Sequence, residues 1–134
     1  MQRTTIVALC MILPLTAVIG SQALAAGPNW KMGRVYNRLV CNKCHRQDDG
    51  KVMSPYERTI ADWKAYFEAD KHDASGKANP SVKFYASREY RDSIKAENKA
   101  AAKFLELSDE EMMANVVEFY IHGAKDSDTP LRCQ

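Results

Sequence analysis

The chain has 134 residues, 27% of them charged and 46% aliphatic, aromatic or sulfur-bearing. That balance fits one soluble globular domain and excludes a multi-domain enzyme, a disordered tail and a multi-span membrane protein. Nineteen Lys and Arg against 17 Asp and Glu leave a formal charge of +2, so no cationic excess draws the chain to nucleic acid.

Residues 1–25 have Arg3 at the head, an apolar run from Ile6 to Gly20, and Ala23 and Ala25 at a small-residue end. This is the layout of a secretory signal peptide cut after Ala25, and Cys10 leaves with it. An apolar run of about 15 residues falls short of the roughly 20 that span a bilayer, so no stable membrane insertion is expected after cleavage. A retained anchor is the other reading of the same run. Export places the remaining chain in the periplasm or an equivalent oxidising compartment. The folded domain is expected over 26–123, with an irregular polar tail over 124–134.

Apolar residues at 32, 35, 36, 39 and 40 recur at helical spacing, so an amphipathic helix leads into Cys41. There follows Cys41-Asn42-Lys43-Cys44-His45, a C-x-x-C-H run of the type that attaches haem covalently. Two thiols about one helical turn apart can add to the two vinyl groups on one porphyrin edge, and the next residue, His45, can give its Nε2 to the iron. Other chemistries compete for the same residues. A thioredoxin-like C-x-x-C follows a buried strand, whereas this one follows a helix. A zinc site needs further ligands, which only Cys133 with His72 or His122 supplies, at irregular spacing. A plain Cys41–Cys44 disulfide leaves His45 without a role.

Ser54-Pro55-Tyr56-Glu57 has the pattern of a capping box with proline in the first helical turn, and Ile60, Trp63 and Phe67 continue a helix to about Asp70. Lys71 to Pro80 reads as a loop. Asp92 to Leu105, rich in Ala, Lys and Glu, favours one helix by intrinsic propensity. Ser108 to Glu111 starts the last helix, Met112, Val116 and Phe119 form its stripe, and Gly123 ends it. Nothing reads as strand.

With the C-x-x-C-H run and this helix order, the chain resembles small monohaem c-type cytochromes of class I. The attachment run is the specific part of that likeness. The resemblance implies an all-α, cytochrome c-like bundle of three to five helices around one covalently bound haem c. Cys41 and Cys44 would make the thioether links and His45 would be the proximal iron ligand. It further implies an aromatic before the attachment run, here Tyr36, and a final helix crossing the first. A proline near position 55 would offer its carbonyl to the His45 ring. The function implied is one-electron transfer between redox protein partners, with no catalysis and no nucleic acid.

One part of the family pattern is missing. The distal methionine normally precedes the last helix, yet residues 54–111 contain none. His72 is the first candidate for the sixth iron position and His122 the second; Met53, Met112 and Met113 are expected in the core. An open sixth position would instead make the protein a haem-based gas sensor or a small haem enzyme, and without haem it would be an exported zinc or dithiol protein. Lys43, Lys51 and Lys71 could steer an acidic partner, weakly given the near-neutral charge. Cys133 has no partner in this scheme.

Overall fold

The Asn29 side chain accepts hydrogen bonds from the Lys31 and Met32 amides and so starts the first helix, α1 (Trp30–Tyr36). The protein is described here by a computed structural model covering residues 27–48, 52–72 and 79–132. The expected leader, Cys10, Lys51 and Cys133 lie outside those residues.

From α1 the chain passes without a break through a π-helical stretch, Asn37–Cys41, into α2 (Asn42–Asp48). Asn37 and Asn42 bracket that stretch, and the Asn42 amide donates to the Asn37 carbonyl. Residues five apart diverge on an α-helix but come to one side when the turn widens to π geometry. Both side chains accordingly grip Met53: Asn37 Nδ2 donates to its carbonyl at 3.2 Å, and Asn42 Oδ1 accepts from its amide at 2.9 Å.

Ser54 caps only a short 3₁₀ turn, Pro55–Glu57. The helix expected to start there, α3 (Ile60–Ala69), instead begins after Thr59, whose side chain forms a reciprocal capping box with Asp62. Its apolar positions behave as read, with Trp63 and Phe67 buried. Next come α4 (Val82–Ala86), capped by Ser81, and α5 (Arg88–Ile94), capped by Ser87. The single helix expected over 92–105 is broken. A turn follows Ile94, and Asn98 caps a separate α6 (Lys99–Lys103) while its Nδ2 donates to the Leu39 carbonyl at 2.9 Å. Ser108 caps α7 (Asp109–His122), which ends at Gly123 as expected. With α1, the π stretch and α2 taken as one, the described residues form six helices and no strand. The all-α expectation holds, with more helices than the three to five foreseen.

The first and last helices cross at Gly33, where a Cβ would stand 1.9 Å from the Asn115 carbonyl oxygen. Only glycine lets the two backbones approach so closely. Around the crossing α1 and the π stretch bury Gly33, Tyr36, Asn37 and Val40, whereas Val35 and Leu39 stay exposed. The buried stripe is therefore shifted from the apolar one. Asn37 sits inside because the Tyr120 hydroxyl donates to its Oδ1 at 2.6 Å, which satisfies an otherwise costly amide. Met112, Val116, Phe119 and Tyr120 of α7 join Trp63, Phe67 and Phe104 in the same core, each contributing about 1.5–3 kcal/mol by burial.

One arginine is wholly buried. Arg91 donates to the carbonyls of Ser87, Phe104 and Leu107 and to the Asp109 carboxylate, tying α5 and the turn after α6 to the start of α7. After Gly123 the described residues form no further helix and pack back against the bundle. Ala124 is buried, the Lys125 amide donates to the Arg58 carbonyl, and the Leu131 amide donates to that of Gly123. Among the described residues no helix is long and apolar enough to cross a membrane.

Candidate functional site

Cys41 closes the π stretch, and Cys44 and His45 follow in the first turn of α2. Cys41 is partly buried, Cys44 is exposed, and neither is in a disulfide. Burial pushes the Cys41 thiol up to about 12. A thiol held that high carries little thiolate at neutral pH, unlike the attacking thiol of a dithiol oxidoreductase. Beside it, Tyr90 of α5 makes a side-chain hydrogen bond with Cys44, and burial together with that neighbour raises the Tyr90 phenol above its ordinary range.

The second half of the site comes from residues after α3. The His72 amide donates to the Pro80 carbonyl at 2.7 Å, and its ring lies 4.7 Å from that of Tyr85 in α4. This places His72 against the attachment run: the His45 and His72 ring centres are 5.8 Å apart. Two metal–nitrogen bonds of about 2 Å plus the half-width of each ring put imidazoles on opposite sides of one metal roughly 6 Å apart. The 56° between the ring planes is compatible with such a pair, because each ring can turn about its bond to the metal. Two unpaired thiols a turn apart, an imidazole next to the second and another imidazole facing the first form a donor set that fits a covalently held haem.

His122 is elsewhere. It stacks on Trp30 with ring centres 4.2 Å apart, and its Nε2 lies 3.2 Å from the Thr129 hydroxyl. Trp30 is fifteen residues before His45 on one continuous helical run, a separation of roughly 20 Å. The structure thus brings His72 to His45 and leaves His122 at the far end of the bundle. Met112 is buried in the core, and Met113 lines an open groove of about 620 Å³ beside Phe84 and Val117. Met53 is held through its backbone by Asn37 and Asn42.

Pro55 is buried beside Gly123, and its carbonyl accepts the Trp63 indole N–H at 2.7 Å, so it orients the core tryptophan. Tyr36, the expected aromatic, is buried against Phe104 and donates its hydroxyl to the Tyr85 carbonyl at 2.6 Å. Lys43 is exposed, reaching the Glu97 carbonyl, and Lys71 is exposed as well.

Tyr85 and Tyr90 belong to the site without having been singled out by their sequence context; only their density in the stretch from Phe84 to Tyr90 hinted at a cluster. Among the described residues no group of three or more His, Cys, Asp or Glu side chains is gathered as for a bare metal ion. Comparison with known proteins finds no match for the chain, whether family model, curated protein or solved structure.

Proposed function

We propose that the protein is an exported monohaem c-type cytochrome that passes single electrons between redox protein partners. The observation that carries this reading is the placement of His72 facing His45, directly beside a helical C-x-x-C-H run. Cys41 and Cys44 would tether haem c through thioethers, and His45 and His72 would be its two axial ligands. The bound haem supplies a one-electron iron couple.

The chain's own residues provide the setting. The junction of the π stretch with α2 carries both sulfurs and would offer them to the haem vinyl groups, and the Asn37 and Asn42 grip on Met53 fixes the segment that follows the run. Tyr36, Tyr85 and Tyr90 lie beside the two histidines and the thiols and would help to hold the ligands in place. With His72 as the second iron ligand, the protein would be a carrier rather than a gas sensor or haem enzyme. The high-lying Cys41 thiol disfavours the dithiol alternative.

The test is the pyridine haemochrome spectrum and intact mass of the protein purified from a host able to attach haem c. Thioether-linked haem, lost in a Cys41→Ser, Cys44→Ser variant, is the expected result. A purified protein with free thiols and no haem overturns the reading.

A further inference from the structure

His72 stands against His45 two residues beyond Asp70, and the Asp70 side chain ties α3 to α4 beside it. Asp70, the C-cap of α3, has φ 49° and is the one non-glycine residue with positive φ among the described residues. A left-handed residue at this point turns the chain sharply off the helix axis. Its carboxylate ties the end of α3 to the start of α4. Oδ2 accepts from the Ser81 hydroxyl at 2.8 Å, and Oδ1 accepts from the Lys83 amide at 2.9 Å.

Ser81 is also the N-cap of α4, its oxygen accepting from the Phe84 amide. Asp70 is thereby bonded to the very start of the helix that carries Tyr85. Between these anchors the His72 amide donates to the Pro80 carbonyl, and the Tyr85 ring stands against the His72 imidazole. The Tyr85 hydroxyl accepts from the Asn79 amide at 2.6 Å, and its carbonyl is held by Tyr36. The contacts of His72 with Pro80 and Tyr85 thus both lie at the junction that Asp70 fastens.

Resting on the haem reading above, we infer that Asp70 is a positioning residue that holds His72 at the sixth iron position. It acts through Ser81 and the Lys83 amide, not on the imidazole itself.

Two substitutions separate the carboxylate from the backbone. Asp70→Gly keeps the left-handed conformation freely accessible and removes both bonds. Asp70→Asn keeps both, its amide oxygen accepting from the Lys83 amide and its NH₂ donating to Ser81, and asparagine tolerates the left-handed region. In the holoprotein Asp70→Gly should fold with wild-type helicity, lose part of its low-spin spectrum, and bind carbon monoxide in the ferrous state at least about tenfold faster, the factor that one hydrogen bond to a charged group accounts for. In the same variant the His72 amide should exchange with solvent at least about tenfold faster, a readout independent of the iron. Asp70→Asn should restore all three signals.

An Asp70→Gly protein with wild-type spectrum, carbon monoxide kinetics and His72 exchange overturns the role of Asp70 while leaving the haem reading intact. A wild-type protein without haem, or a His72→Ala variant with an unaltered spectrum, overturns the reading beneath it and this inference with it.

Discussion

Two histidines outside the attachment run look alike in composition, yet their surroundings assign them to different work. His72 faces His45 across 5.8 Å, whereas His122 lies flat on Trp30. Replacing His72 with Ala should convert the low-spin spectrum to a high-spin one and let carbon monoxide bind the reduced protein rapidly. His122→Ala should leave both unchanged and cost only the stacking contact, about 1 kcal/mol in urea unfolding. A low-spin His72→Ala protein would move the sixth ligand to another residue. Histidine in that position should also set a lower reduction potential than a His/Met cytochrome has, since methionine ligation raises it. Arg91 makes the other residue-scale case. Its guanidinium is fully buried while its partner Asp109 is half exposed, so Arg91→Met mainly strands the Phe104 and Leu107 carbonyls. A loss of about 3 kcal/mol is expected, measured as a shift of the urea midpoint at constant slope.

At the scale of elements, Gly33 sets how closely α1 and α7 approach. A methyl group there meets the backbone of Asn115 and the Cβ of Phe119, and neither can move without shifting α7. Gly33→Ala should therefore destabilise at the upper end of the roughly 1–3 kcal/mol typical of overpacking, or beyond it. The same elements show what was legible beforehand. The Ile60, Trp63, Phe67 spacing and the Met112, Val116, Phe119 stripe located α3 and α7 because periodic apolar burial is a local property. The start of α3 was misplaced because Ser54 to Glu57 and Thr59 to Asp62 carry nearly the same capping pattern, and which of them starts the long helix depends on where the chain must go next. The break between α5 and α6 was invisible to helix propensity, since Asn98 is held by the Leu39 carbonyl, 59 residues away in sequence. In the site, the C-x-x-C-H run is legible in the sequence, and so are His72 and His122 as the two further imidazoles. What selects between them is a set of tertiary contacts: Asp70 to Ser81, His72 to Pro80, and Tyr85 to Tyr36.

In the whole molecule these contacts divide the protein into parts of unequal firmness. The first and last helices form the densest part of the described residues: α1 and the π stretch cross α7, Asn37 bonds Tyr120, and the segment after Gly123 returns over Pro55 and Arg58. Among the described residues, α4 and α5 beside His72 are tied to that frame by Tyr36 donating to the Tyr85 carbonyl and by the Arg88 amide and Arg91 guanidinium on Asp109. Regions with less buried apolar surface and more exposed hydrogen bonds open first, in units smaller than the global transition. Native-state hydrogen exchange should therefore show the amides of Val116 and Phe119 exchanging only through global unfolding. The His72 and Lys83 amides should exchange through a local opening that costs at least about 2 kcal/mol less. Such an opening would free the sixth position while His45 stays on the rigid helix, so ligand exchange at the iron would need no unfolding of the α1–α7 frame. Equal exchange free energies at His72 and Phe119 would mean that the whole chain opens as one unit and that the sixth position cannot be vacated separately.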